Sequence, residues 1–251
     1  SRGYARIKLW ACVRQLLCEA ISMCGRFSLL APKETIGKVF DVWAENDIPP
    51  RYNVAPRQPV LVVRNSEEGK RHLAAVEWGL VPEWRKERSE KPLINARIET
   101  ILEKPSFKSS IRRKRCLVPF TDWYEWRSEH GRKIPYRVRH HANAMGAFAG
   151  VWATWHGPGG DFWLETMAIV TGPAEATLRP LHSRKPLWVR PEQYGEWLQS
   201  HDPLPRGFLE SFQGVEEQQF EWTPVSSKVS SVRFEGPECH EPPEAERQAS
   251  L

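Results

Sequence analysis

Cys24, in the stretch Met23-Cys24-Gly25-Arg26-Phe27, carries the most distinctive chemistry in the chain. If translation begins at Met23 and that methionine is removed, Cys24 presents a thiol and a free α-amine on neighbouring carbons. An α-amine titrates at roughly 7.7 to 8.0, against about 10.4 for a lysine side chain, so a useful fraction is neutral and nucleophilic near neutral pH. An aldehyde meeting that pair forms an imine, which the thiol then traps as a five-membered ring. The plain alternative is packing: cysteine is among the most buried residue types, and a lone one usually serves as a small core hydrophobe.

Elements must position any such group. The chain has 251 residues, enough for one large domain or two small ones with a substantial core. A composition of 40% hydrophobic and 27% charged residues belongs to a soluble globular protein. No uninterrupted apolar run approaches the ~20 residues needed to span a bilayer, so no membrane association is expected. The formal net charge of +5 suits an anionic partner. Five cysteines, Cys12, Cys18, Cys24, Cys116 and Cys239, form no Cys-x-x-Cys pair. That argues against a disulfide framework or a zinc site and for a reducing compartment; neither metal nor cofactor is expected. Twelve tryptophans require a large core or stacking work.

Residues 1–22 read as a separate, basic extension: an artefact of start assignment, a leader or a cloning remnant. From Pro32 the spacing Ile36, Val39, Phe40, Trp43 predicts a helix with those side chains on one face. Arg51 to Pro56 reads as an extended loop; Pro59 to Arg64 and Arg71 to Trp78 read as strands. Gly79 to Pro92 is a proline-bounded exposed loop carrying Trp84. Leu93 to Thr100 leads into helical turns through Phe107 and Ile111, and the basic run Arg112 to Arg115 reads as a solvated helix end. Cys116–Phe120, Trp123–Arg127, Ile134–Arg139, Ala147–Trp155 and Phe162–Thr171 are strand-like, with turns at His130-Gly131 and Gly157 to Gly160. Cys116 reads as inert packing. Pro173 to Leu181 predicts a short helix, Pro186 to Val189 a brief strand, Pro191 to Gln199 a helix and Phe220 to Val225 a last strand. Residues 240–251 read as a polar tail. The expected fold is α+β: one β-rich domain over residues 23–239, with a curved, mainly antiparallel sheet and short flanking helices.

Six blocks, in order, resemble the SOS response-associated peptidase (SRAP) family, also called abasic site processing proteins. They are Met23 to Phe27, Arg51-Tyr52-Asn53-Val54-Ala55-Pro56, Trp78-Gly79-Leu80-Val81-Pro82, Leu93 to Thr100, Trp123-Tyr124-Glu125-Trp126 and Leu181-His182-Ser183-Arg184-Lys185-Pro186. The resemblance implies a compact β-rich fold with a cationic groove for single-stranded DNA. It also implies suicide-like capture of abasic sites as a thiazolidine on an N-terminal cysteine, removal of the preceding residue by the protein itself, and an associated lyase activity. Motif by motif it places the catalytic cysteine at Cys24, the active-site asparagine at Asn95, the catalytic glutamate at Glu125 and the catalytic histidine at His182.

Those residue types suit the chemistry. A ring-opened abasic deoxyribose exposes an aldehyde, and a carboxylate and an imidazole can move protons during ring opening and dehydration. Asn95 can hold the amine or a developing oxyanion without adding charge. Each also has a structural reading: Glu125 as the outward face of a strand, His182 as a cap, Asn95 as a turn residue. For DNA, Arg26 and Arg97 are the first choices as phosphate contacts and Arg51 and Arg113 the second. Pro56 and Trp84 are placed to wedge or stack bases, and Thr171 to add a hydroxyl contact. No base-reading motif is visible, so lesion specificity without sequence specificity is expected. Two features depart from the family: the 22 residues before Met23, which block the α-amine, and Ser230, where asparagine is expected in many relatives. A cysteine peptidase or amidase acting on other proteins, and a non-catalytic single-strand binder, are the alternatives. The chain is expected to act as a monomer in the cytoplasm, on the nucleoid if bacterial and in the nucleus if eukaryotic.

Overall fold

The computed structural model describes residues 25–141, 145–160, 162–213 and 219–244. Cys24 and the extension at residues 1–22 lie outside the described residues. The strands are β1 (Arg26–Leu29), β2 (Arg51–Val54), β3 (Pro59–Asn65), β4 (Arg71–Trp78), β5 (Asn95–Arg97), β6 (Arg115–Phe120), β7 (Asp122–Glu129), β8 (Arg132–His140), β9 (Gly146–His156), β10 (Trp163–Pro173), β11 (Arg184–Pro186), β12 (Trp188–Val189) and β13 (Phe220–Pro224). Helices α1 (Lys33–Phe40), α2 (Ser110–Arg113) and α3 (Tyr194–Leu198) are short.

The expected β-rich, mainly antiparallel class is what forms, divided between two sheets. One has five strands in the order β13-β8-β7-β1-β2; the other has eight and runs β11-β10-β4-β3-β6-β9-β12, with β5 beside β10. Because β9 also pairs with β10, strands β10, β4, β3, β6 and β9 close into a ring, which leaves those strands without a free edge. The only parallel contacts among the described strands are those of β10 with β4 and β5.

Side-chain alternation builds two cores from these strands. Val60, Val62, Val76, Trp78, Val118, Phe148, Met167 and Ile169 face Phe27, Val54, Trp123 and Val138 of the five-stranded sheet. From the other face Val63, Leu117, Ala149, Val151, Ala168 and Val170 meet Ile36 and Phe40 of α1, Trp197 of α3, and Phe107 and Ile111. Cys116 is fully buried in the first core, and burial pushes its thiol pKa up, as inert packing requires. The β7–β8 turn needs positive φ at both central residues, and His130 (φ 48°) and Gly131 (φ 77°) supply it.

Several expectations are corrected. Helix α1 stops at Asp41, whose left-handed φ of 54° turns the chain away, so Trp43 lies beyond the helix and is 86% exposed instead of facing inward. In place of the helix expected over Pro173 to Leu181, Pro173 ends β10 and residues 176–181 form hydrogen-bonded turns, with Arg179 N–H donating to Glu175 O (2.8 Å) and His182 N–H to Leu178 O (3.0 Å). The brief strand at 186–189 splits in two because Arg184–Pro186 pairs with β10 while Trp188–Val189 pairs with β9. In the basic run, Arg115 is buried rather than solvated: its guanidinium caps carbonyls of Ile111, Arg112, Trp197 and Gln199, and burial lowers its pKa to about 10.

The outer face of β1 and β7 is covered by the chain's last described segment. Tyr124 packs there with Val225, Val229 and Cys239. Packing continues through His240, whose ring meets those of Tyr52 (5.3 Å) and Tyr124 (6.1 Å). His240 Nε2 lies 3.5 Å from Asp122, which accepts from Ser28 Oγ (3.1 Å) and pairs with Arg137 Nε at 3.2 Å. Arg139, bonded to Glu221, stands close by. Burial first, then Arg137 and Arg139, lower the His240 pKa from 6.5 to about 4; Asp122 pulls the other way, but its charge is already matched by Arg137. Between those values the unfolded chain binds a proton that the folded one refuses, so stability falls as pH drops from about 6.5 toward 4. Chemical denaturation across that window should show a loss on the order of 2 kcal/mol, and His240→Gln should flatten it. An unchanged acid limb in the variant would count against this assignment.

Candidate active site

Strand β1 sets the geometry of the N-terminal side. Its ladder to β7 pairs Arg26 with Tyr124, Phe27 with Trp123 and Ser28 with Asp122. One further step in that register brings Gly25, the residue joined to Cys24, opposite Glu125. Alternation puts Glu125 on the Trp123 face, between the two sheets, where it is only 3% exposed. Its cross-strand partner on β8 is Tyr136, itself part of the first core. Glu125 is therefore not on the solvent face of its strand.

Asn95 opens β5 and is placed through the backbone beside it. Ile94 O accepts from the buried Trp78 indole at 2.9 Å and from Ile169 N–H at 3.0 Å. Parallel pairing then aligns Asn95 with Ile169 and Arg97 with Thr171. On the opposite edge of β10, Thr171 faces Pro186 of β11. Arg184 ties the three strands together: its guanidinium forks onto Glu99 at 2.8 and 2.9 Å and donates to Thr171 O at 2.9 Å. That fork holds the Glu99 carboxyl below its usual range.

His182 follows the turns of 176–181, whose Leu178 and Leu181 are buried in the first core. The Trp222 indole fastens those turns by donating to Thr177 O at 3.1 Å, and its ring lies 5.1 Å from that of Tyr136, the partner of Glu125. Nδ1 of His182 sits 3.0 Å from both the amide nitrogen and the carbonyl oxygen of Arg184, so either protonation state of Nδ1 is satisfied by backbone. Nε2 is then the nitrogen available for proton exchange. Glu125, Asn95 and His182 thus each adjoin one core, next in register or sequence to Tyr136, Ile94 and Leu181, and Gly25 lies two residues before Phe27 of the same core. A buried carboxylate, an imidazole and a neutral amide are the set needed for acid–base work on a bound carbonyl. Among the described residues no group of three His, Cys, Asp or Glu side chains is placed to hold a metal ion.

The remaining candidates are dispersed. Arg26 points to the face opposite Glu125, donating to Val229 O at 3.3 Å and lying 5.6 Å over the Trp126 ring, and burial lowers its pKa. Arg97 is exposed beside Thr171, whose buried hydroxyl accepts from Arg184 at 3.3 Å. Arg51 is engaged by Glu235 (3.1 Å) and Gln58 (2.6 Å). Arg113, at the end of α2, is committed to Asp202 (2.9 Å) and lies on none of the strands that carry the other candidates. Pro56 follows the buried Ala55, and Trp84 is 61% exposed on its loop, not a cover for the core. Ser230 accepts from the Trp126 indole at 2.9 Å, next to Glu125.

Sequence reasoning missed two supporting residues. Arg184 has no local signal, because its partners Glu99 and Thr171 are brought to it only by the sheet. Asn53 is fully buried in the Arg51-to-Pro56 block, and its amide nitrogen serves the carbonyls of Val229 (3.2 Å), Ser231 (2.9 Å) and Phe234 (2.8 Å). Asn53→Ala should destabilise the protein by roughly 2 to 3 kcal/mol, because it strands buried carbonyls. Urea denaturation measures this, and a loss below about 0.5 kcal/mol would show that the clasp is unimportant.

A family model described as SOS response associated peptidase (SRAP) matches residues 23–232. The chain is 35% identical over 224 residues to the abasic site processing protein YoqW of Bacillus subtilis (strain 168), covering 87% of this chain and 99% of that one. It is 33% identical over 227 residues to the abasic site processing protein YedK of Escherichia coli (strain K12), covering 88% and 100%. Among solved structures, a Bacteroides thetaiotaomicron protein superposes with a TM-score of 0.76 at 23% identity, covering 87% and 99%. A phage-related protein of Bordetella bronchiseptica gives 0.65 at 30% identity, covering 85% and 100%.

Proposed function

The chain belongs to the SOS response associated peptidase family, and from that premise we propose that it is a DNA-repair protein that processes abasic sites, capturing them covalently on Cys24. The observation that carries this reading is the β1–β7 register, whose continuation by one residue sets Gly25, the neighbour of Cys24 in sequence, opposite the buried Glu125. The relatives named for abasic site processing supply the substrate class.

Capture requires a free Cys24 amine, hence cleavage before Cys24. Glu125 and His182 then shuttle protons while the sugar opens and the carbinolamine forms. The Cys24 nitrogen bonds to the aldehyde carbon, one water leaves, and an imine results. The thiol adds to that carbon; its proton ends on nitrogen, closing a thiazolidine with the net loss of one water. Asn95 holds the nitrogen or the oxygen that departs, as a neutral donor and acceptor. The same groups account for self-cleavage before Cys24, and the imine is the intermediate from which strand scission by elimination can begin. Arg97, exposed at the end of β5, is the phosphate contact best placed beside this pocket. The substrate form is single-stranded, since an unpaired sugar reaches a recessed site without the cost of extrusion from a duplex.

Intact-mass measurement tests the reading. A form beginning at Cys24, mixed with an abasic single-stranded oligonucleotide, should gain the oligonucleotide's mass less one water and survive heating. Cys24→Ser should form no heat-stable adduct, and a persistent one sinks the proposal. His182→Ala should slow adduct formation about a hundredfold. Peptide turnover by a form acetylated on the Cys24 amine would point instead to a peptidase acting on other proteins.

A further inference from the structure

The turn after Pro56 contains a non-glycine residue in a left-handed conformation, Arg57 at φ 66°. Such a residue persists only where its surroundings hold it, and here they do. Arg57 N–H donates to Trp78 O (2.7 Å), while Trp78 N–H donates to Gln58 O (3.0 Å). The guanidinium reaches across to the Trp84 loop, where Nη2 donates to Ser89 O (2.7 Å) and Glu90 O (2.8 Å). At this latch is a shallow cleft, open to solvent and lined by Arg57, Arg85, Pro82, Ser89 and Pro92. Arg85 is fixed by its own N–H to Pro82 O (3.0 Å) and lies 5.9 Å over the exposed Trp84 ring.

Charge distinguishes this cleft from the rest of the loop. Of the neighbouring cations, Arg88 pairs with Glu77 and Lys114 with Glu83, while Lys86 and Lys91 of the same loop do not line the cleft. Among the described residues neither Arg57 nor Arg85 forms an ion pair, and Arg57 binds neutral carbonyls only, with Nη1 and Nε still to donate. Two uncompensated guanidinium groups on one small cleft are a site for a tetrahedral oxyanion. Gly79, at φ 138°, starts this loop, and the bridge between Leu80 and Leu93, which both line the cleft, closes it two residues before Asn95.

We propose that this cleft is a phosphate subsite, in which Arg57 and Arg85 hold one backbone phosphodiester of the strand that carries the lesion, between Pro56 and Trp84. The inference rests on the proposed function and adds a contact that phosphate-seeking motifs did not single out. Because Arg57 also latches the loop, it fixes the width of the gap through which that strand passes.

The experiment measures affinity for an intact single-stranded oligonucleotide as a function of salt. Each phosphate contact contributes about 0.7 to the slope of log affinity against log salt for single strands. Arg57→Ala and Arg85→Ala should each lower the slope by about that amount, whereas Arg57→Lys, which keeps the charge, should retain it. An unfolding curve accompanies each variant; if Arg57→Ala is unfolded, Arg85→Ala decides. Unchanged slopes in the folded alanine variants overturn the subsite. Inorganic phosphate, titrated by thermal shift, separates the sources: binding of free phosphate that Arg57→Ala abolishes, with an unchanged strand slope, would overturn assignment to the strand. Adduct formation by the parent protein is scored separately, so its failure would fall on the proposed function and not on this contact.

Discussion

Everything at the candidate site depends on how one strand divides its two edges. β10 spends its first half, Trp163 to Ile169, pairing with β9 on one side, and Thr166 and Met167 pair with β4 on the other, which closes the ring. Its last residues then exchange those partners for β5 and β11. A backbone that has given both rows of N–H and C=O groups to neighbours cannot shift register without losing both ladders. Asn95 and the approach to His182 inherit that rigidity, because β5 pairs with Ile169 to Thr171 and β11 with Thr171 to Pro173, so the two meet at Thr171. Arg184 adds a charged fork across the junction.

The second sheet contributes by alternation. A single register places Phe27, Trp123 and the position of Glu125 on the inner face, and Arg26, Tyr124 and Trp126 on the outer one. The inner face supplies a buried carboxylate at the margin of an apolar core. The outer face is held by polar contacts to the end of the chain, with Asn53, Arg26, Asp122 and His240 each reaching residues or strands far away in sequence. Removal of one such group strands the partners it does bond, as with the three carbonyls served by Asn53.

Much of this was legible in the sequence. The strand boundaries of β3, β4, β6 and β7 fall within two residues of those read from alternation and turn residues, because edges and turns leave local marks. Local marks mislead where tertiary pairing decides. Trp43 fits the helical spacing of Ile36 and Phe40, but Asp41 ends the helix first. Residues 173–181 have helical spacing, yet Pro173 ends β10 and residues 176–181 coil over the core to bring His182 back beside β11. At the site, Glu125 was readable as a carboxylate between aromatics, but its inward orientation follows from pairing with a strand almost a hundred positions away. The basic run illustrates the limit for arginines: Arg115 and Arg113 look alike in sequence, and only packing separates a buried cap from a surface ion pair. Arg57, by contrast, carried no motif, since left-handed backbone at a non-glycine residue cannot be seen without the fold.

The clasp between the first strand and the final segment bears on synthesis. Arg26 reaches Val229 across 203 positions, and Ser226 N–H donates to Glu241 O within that segment. A chain growing from its amino end on a ribosome exposes Cys24 long before the residues that brace β1 have been made. Strand β1 can take its braced form only once the chain through Val229 has been made. Pairing of β1 with β7 can therefore precede, during synthesis, the brace that Val229 gives to Arg26.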